Sequence, residues 1–240
     1  MPSPSIVRRT SPTEARERRQ RVHTEARREH VLEAARSAFF ELGLEGASLR
    51  EIAKRAGYTP GALYSYFDSK EQVYAALLGE SLERLNQCVA QACPQPTRAP
   101  RRDAEAALHD QARAFFDFYH RNPRDLDLGF YLFHDMQPRG LTPALNKPLN
   151  ARLRDALSPV QGHLVALGLT PAEAQTEVTA LFAHIVGLLL LSHTGRIRMF
   201  GQTSQALFER YLDALLARTK RPTRTVLTVR AVRKRRTAKP

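Results

Sequence analysis

The sequence predicts an all-α chain: a small N-terminal three-helix domain containing a helix-turn-helix, followed by a larger helical domain. Three observations carry this. Apolar residues recur at spacings of three and four through most of the chain, the period of helices with one buried face. Ser48, Thr59 and Ser69 stand where helices would begin, and such hydroxyls accept from the free amides of a first turn. No stretch alternates apolar and polar residues as a strand would, and no internal repeat is present.

The elements follow in order. Residues 1–24 are rich in Arg, Pro, Ser and Thr and lack an apolar period, which predicts a flexible basic arm. A helix at 25–42 buries Val31, Ala35, Ala38, Phe39 and Leu42, and Gly43 stops it. Ser48 with Glu51 forms a capping box. It opens a short helix with Leu49, Ile52, Ala53 and Ala56 inward, ended by Gly57. Thr59 caps a third helix, begun by Pro60 and running to Phe67. Ser69 with Gln72 forms a second capping box and opens a long helix at about 70–91. Pro94, Pro96 and Pro100 mark a linker at about 93–102. Helices then fall at about 103–121, 124–136, 145–168, 171–194 and 203–219. Pro159 bends the third of these. The 240 residues thus divide into an arm (1–24), a head (25–72), a helical domain (73–219) and a basic disordered tail (220–240).

Charge is segregated. Residues 220–240 hold nine Lys or Arg and no acid, and residues 1–24 hold six Arg and two Glu, so the ends carry the whole net charge of +13. Such ends suit a polyanion, nucleic acid first, or serve only to keep the chain soluble. The strongest apolar run, 181–191, is short for a bilayer span and contains His184. No secretory signal is expected, and a cytoplasmic location follows. Cys88 and Cys93 match no zinc spacing and read as reduced thiols near a helix end. No nucleophile-base pair, phosphate-cradling glycine loop or metal-ligand spacing stands out, so neither catalysis nor a cofactor is expected.

Residues 48–67 are the informative segment: two short helices meet at a tight glycine turn, and the second starts with small residues. In a helix-turn-helix the second helix enters the major groove N-terminus first. Gly61 and Ala62 let its backbone approach closely. Tyr64 and Tyr66 carry hydroxyls to phosphate or base edges, and Ser65 adds a small polar group. Lys70, in the first turn of the next helix, can hold a phosphate together with the exposed amides. Arg50 can pair with a phosphate or fork onto a guanine. The plain alternatives are Tyr64 as interhelical packing and Arg50 and Lys70 as solvated charges.

The order Ala47, Ser48, Leu49, Arg50, Glu51, Ile52, Ala53, Lys54, Arg55, Ala56, Gly57, Tyr58, Thr59, Pro60, Gly61, Ala62, Leu63, Tyr64, Ser65, Tyr66, Phe67, Asp68, Ser69, Lys70, Glu71 resembles the DNA-binding signature of the TetR (TetR/AcrR) family of transcriptional regulators. The resemblance covers about residues 27–80. It implies DNA contacts by Arg50, Thr59, Gly61, Ala62, Tyr64, Tyr66 and Lys70, with Leu63 and Phe67 in the core. Pro60 and Gly61 stand where members often carry polar residues, which reduces direct base readout there.

The resemblance further implies that residues from about 100 to 219 bind a ligand and dimerise. Phe115, Phe118, Tyr119, Phe130, Phe133, His134 and Phe182 are the candidate ligand contacts, with Phe116, Tyr131, Met136, Leu153 and Leu157 nearby. Such residues either line an apolar cavity or simply fill a core. His120 and His184 are further candidate polar groups. The helices at about 171–194 and 203–219 form the expected homodimer interface, through Leu181, Ile185, Leu188, Leu189 and Ser192 on one and Leu207, Tyr211, Leu215 and Leu216 on the other. Gly187 permits close approach. The expected partners are a palindromic double-stranded DNA operator and a small hydrophobic effector, with no membrane. The expected function is sequence-specific repression released by the effector, the helix at 70–91 coupling head to sensor. The competing reading is a constitutive, largely non-specific nucleic-acid binder driven by the basic ends.

Overall fold

The architecture was analysed in a computed structural model, which describes residues 12–95, 99–130 and 141–219. The expected tail 220–240, the first eleven residues of the arm, and Tyr131, Phe133, His134 and Met136 lie outside the described residues. Within them the order is α1 (Pro12–Gly46), α2 (Leu49–Arg55), α3 (Pro60–Tyr64), α4 (Lys70–Gln91), α5 (Pro100–Arg121), α6 (Pro123–Phe130), α7 (Pro143–Ala166), α8 (Pro171–His193), a short 3-10 turn (Ile197–Phe200) and α9 (Ser204–Thr219). Among the described residues no strand occurs.

The expectation of a flexible arm up to residue 24 is corrected: α1 begins at Pro12. Its first half is dense in Arg, Glu, Gln and Ala, strong helix formers, and its residues 16–24 are exposed. A helix that packs on nothing needs no apolar stripe, which is why periodicity gave no sign of it. The second half buries Val31, Leu32, Ala35, Ala38 and Phe39, while Leu42 is exposed. Gly43 leaves helical geometry at φ 70°, ψ 172°, kinking the helix there.

Both expected capping boxes form only in their first half. Ser48 Oγ accepts from the Glu51 amide, but the Glu51 carboxylate accepts from Arg55 Nε at 2.8 Å instead of returning to Ser48. Ser69 Oγ accepts from the Gln72 amide, while Gln72 Oε1 accepts from the Asp68 amide at 3.1 Å. Thr59 caps α3 by accepting from the Ala62 amide. A complete capping box, Thr170 with Glu173, opens α8. Its hydrogen bonds to Thr170 hold the Glu173 carboxyl below its ordinary pKa.

α4 belongs to both halves. Val73, Tyr74, Leu77, Leu82, Leu85 and Val89 are buried along it in one continuous core, and α4 packs on α1 as well as on α5 and α7. α7 runs unbroken through Pro148 and Pro159. Leu181, Ile185 and Leu189 of α8 and Leu215 of α9 are wholly buried within the protomer. They form its core and cannot also be the dimer face, which corrects that part of the expectation. The uncovered apolar ridge is its neighbour: Phe182, Val186, Gly187 and Leu190 half-buried, Leu191 exposed. By length and composition α8 is the one described helix apolar enough to cross a membrane. About a third (33%) of its apolar window is buried inside the protomer, and Glu177 near its start pairs with Arg218 of α9 at 2.8 Å. Core packing within the protomer therefore accounts for about a third of that window, and the rest of its apolar surface is left uncovered by the chain's own described residues.

Candidate nucleic-acid interface and sensor cavity

The head presents α3 by anchoring its inner side. Gly57 turns the chain at φ 69°, where an L side chain would be strained. The Gly57 and Tyr58 amides donate back to Lys54 O and Ala53 O at 3.2 and 2.9 Å. His30 of α1 approaches Ala56 O at 3.2 Å and meets Tyr58 edge to face, a fastening that the linear pattern did not reveal. Arg55 ties α2 to α1 through Glu41 at 2.8 Å and Ser37 at 3.1 Å. Hydrogen bonds to Arg55 and then Ser37 draw the Glu41 carboxyl below its usual range.

On this platform Leu63 and Phe67 point into the core. Arg50, Thr59, Gly61, Tyr64 and Ser65 are exposed and Ala62 is half-buried. A Cβ added at Gly61 would meet no atom within 4 Å, so the face before it is open. The Thr59 oxygen is already engaged as the cap, and Ser65 Oγ donates to Ala62 O at 2.7 Å, leaving its lone pairs as acceptors. Lys70 is half-buried at the start of α4. Tyr66 departs from the group: it is half-buried and lines an open groove of about 370 Å³ with Phe67, Ala75 and Leu149. Arg28 of α1, which the sequence reading did not single out, lies over the Phe67 ring at 5.5 Å and pairs with Glu80 of α4 at 3.6 Å. Glu80 also faces Arg36 at 3.6 Å. Burial, reinforced by Glu29, raises its carboxyl pKa against the pull of Arg28, Arg36 and Arg84.

In the helical domain the candidate aromatic residues converge. Phe115, Tyr119, Phe130 and Phe182 form a closed circuit with centroids 5.4, 5.7, 5.8 and 6.1 Å apart in turn, and Phe118 meets Tyr119 at 5.1 Å. Edge-to-face and tilted pairs at these distances are favourable. Of this group Tyr119 and Phe130 line a cavity of about 210 Å³, walled also by Leu78, Leu82, Leu149 and Leu153, with Asn146 and Asn150 at its polar side. Phe115 and Phe118 are buried and do not line it. Burial, with the Asp125 charge adding, pushes the Tyr119 phenol well above its ordinary range, so it stays a donor. His120 stacks on Phe116 and His184 on Tyr211; neither lines this cavity. Among the described residues no cluster of three metal-ligating side chains occurs.

A head with an anchored, outward-facing second helix on an all-helical domain with an aromatic cavity defines a helix-turn-helix regulatory protein. The chain belongs to the TetR family: residues 31–77 match the model for bacterial regulatory proteins of that family, and residues 108–215 match a tetracyclin repressor-like C-terminal domain. It is 33% identical over 119 residues to the transcriptional activator FasR of Mycolicibacterium smegmatis, covering 50% of this chain and 52% of FasR. It is 38% identical over 65 residues to the transcriptional repressor AcnR of Corynebacterium diphtheriae, covering 27% of this chain and 34% of AcnR. The matches thus span about a third to a half of these relatives. The fold is shared with FadR of Bacillus subtilis, solved in complex with stearoyl-CoA, at 19% identity and a TM-score of 0.59, covering 79% of this chain and 97% of that one.

Proposed function

We propose that the chain is a dimeric, cytoplasmic transcription regulator that grips a palindromic operator through α3 and releases it when an apolar effector fills the helical domain. The observation that carries this reading is the contrast inside α3. Leu63 is 0% exposed and Tyr64 next to it 56%, so packing fixes a helix whose outer face is left for another molecule. Arg50, Gly61, Tyr64, Ser65 and Lys70 are the proposed contacts, with Ala62 and Thr59 allowing close approach. Tyr66 takes a lesser part because its side chain lines the groove with Phe67, Ala75 and Leu149.

Dimerisation through the ridge of α8 with Leu207, Tyr211 and Leu216 of α9, all half-buried in the protomer, would cover this apolar surface. A two-fold axis there sets two copies of α3 roughly 34–36 Å apart, one helical turn of DNA. The aromatic cavity favours an apolar effector, and the stearoyl-CoA in the Bacillus subtilis FadR structure supports a long acyl chain as the first class to try. Repression is the proposed direction, as in AcnR. An effector shifts the equilibrium only by its differential affinity for the DNA-competent and DNA-incompetent states.

The test is selection of bound duplexes from a random pool, followed by anisotropy titration with and without acyl-CoA esters and fatty acids. A palindromic consensus and weakened binding with one of these ligands are expected. No sequence preference would overturn the operator reading, and equal operator affinity with every ligand that binds the protein would overturn the effector reading.

A further inference from the structure

A second cavity, of about 410 Å³, lies between head and helical domain, lined by α1, α4 and the α5–α6 corner. It is about twice the size of the aromatic cavity and shares no lining residue with it. Its volume lies within the range, on the order of 300–1,000 Å³, that small-molecule sites occupy.

Its wall combines aromatic and cationic side chains. Phe39, Phe40, Tyr74 and Leu128 supply apolar surface. Phe40 is 53% exposed although it is a large apolar ring. Four guanidinium groups face two carboxylates: Arg36, Arg84, Arg121 and Arg124 against Asp125 and Asp127. The pairing within this group is uneven. Arg84 is committed to Asp125 at 2.6 Å, Arg36 turns to Glu33 and Glu80, and Arg121 reaches Asp117 at 3.1 Å. The Arg124 guanidinium lies over the Phe40 ring, 4.4 Å from its centroid. Among the described residues no salt bridge to Arg124 occurs, and a guanidinium over a ring can still direct N–H groups to a carboxylate or phosphate.

We propose that this junction is a second ligand site, which binds a small aromatic anion by seating its ring against Phe40 and Tyr74 and its acid group on Arg124. The proposal deepens the regulator reading and rests on it for its consequence. An occupant would touch α1 of the head and the α5–α6 corner at once, and so would favour one setting of the head over others. Leu128 borders this cavity while Gly129 and Phe130 border the aromatic one, so α6 stands between the two sites.

The test uses the full-length protein and the fluorescent probe 8-anilinonaphthalene-1-sulfonate. Saturable binding is expected. Arg124→Ala and Phe40→Ala should each weaken it about ten-fold, the size of one lost charged hydrogen bond or ring contact. Arg124→Lys should weaken it less. Leu153→Trp, which crowds the aromatic cavity, should leave this component unchanged. Phe40 and Arg124 are exposed, and thermal melts that match the unaltered chain would confirm that the variants fold. The naphthoate and the naphthyl phosphate should both displace the probe, their ratio telling which acid group is preferred, whereas naphthalene should not. Absence of saturable binding, probe affinity indifferent to both alanine variants, or displacement by naphthalene as effective as by the anions would overturn the proposal. These titrations contain no DNA, so their failure is separable from failure to bind an operator.

Discussion

Alanine at Leu63 and alanine at Tyr64, one residue apart on a five-residue helix, should have opposite consequences. Leu63 is the one side chain of α3 that is buried, at 0% exposure. Truncating a leucine in such a site costs about 2–5 kcal/mol from lost burial and the cavity left behind, against a typical domain stability of about 5–15 kcal/mol. Tyr64 is 56% exposed, and trimming an exposed side chain shifts stability by about 0.5 kcal/mol or less. On DNA the order reverses. A base or phosphate contact by Tyr64 is worth about 1–3 kcal/mol. Two protomers then lose about 2–6 kcal/mol, or roughly 30-fold to 10⁴-fold in operator affinity. Urea denaturation measures the first quantity and anisotropy titration at one fixed salt concentration the second, since salt alone moves affinity. If Tyr64→Ala melts as early as Leu63→Ala, or binds the operator within about two-fold of the unaltered chain, the assignment of α3 as an anchored recognition helix fails.

Removing residues 220–240 should lower affinity for random and specific duplexes alike, while Tyr64→Ala should lower the specific one far more. The reverse ranking would favour the tail-driven, non-specific reading. Ser48→Ala removes the α2 cap and should cost about 1 kcal/mol, read as a lower urea midpoint with unchanged slope. Leu191→Glu, on the exposed ridge of α8, should leave the protomer folded and shift sedimentation toward monomer; an unchanged dimer would move the interface elsewhere. His163, His184 and His193 are held below their ordinary pKa of 6.5 chiefly by burial. The unfolded chain therefore takes up their protons first, and stability should be full above about pH 6.5 and decline as pH falls toward the lowered folded values. His184→Gln should flatten that slope. Glu80, raised by burial, works the other way: between its ordinary value of 4.5 and its raised one, acidification favours the folded chain.

Helix positions were legible where a stripe of apolar residues or a cap marks them. α4 spans Lys70–Gln91 as its spacing predicts, and α8 and α9 fall within one residue of expectation. The first half of α1 was not legible, because an exposed charged helix carries no stripe. The aromatic circuit was anticipated as a set but not as a geometry: spacing says that Phe115 and Tyr119 share a face, and only the packing of α8 brings Phe182 to them. The split of α8 into a buried and an uncovered apolar face was invisible for a related reason. Its residues from Leu181 to Leu191 are apolar almost all round, so pattern alone cannot say which side the protomer claims. The fastening of His30 to Ala56 and the Arg28–Glu80 pair join residues far apart in sequence, and nothing local announces them.

The uninterrupted run of α4 from the head into the helical domain has a geometric consequence. Leu78 and Leu82, which line the sensor cavity, lie 8 and 12 residues along the 22-residue helix from its start at Lys70, so about 18 Å of rod at about 1.5 Å per residue separates Leu82 from the end that follows the recognition segment. Pivoting that segment by about 11° at the cavity carries its first residue about 3.4 Å, the rise of one base pair. In a symmetric pair the two displacements add or cancel along the duplex according to the direction of swing. A rotation on the order of ten degrees at the cavity is therefore enough to put one reading head out of phase with the other.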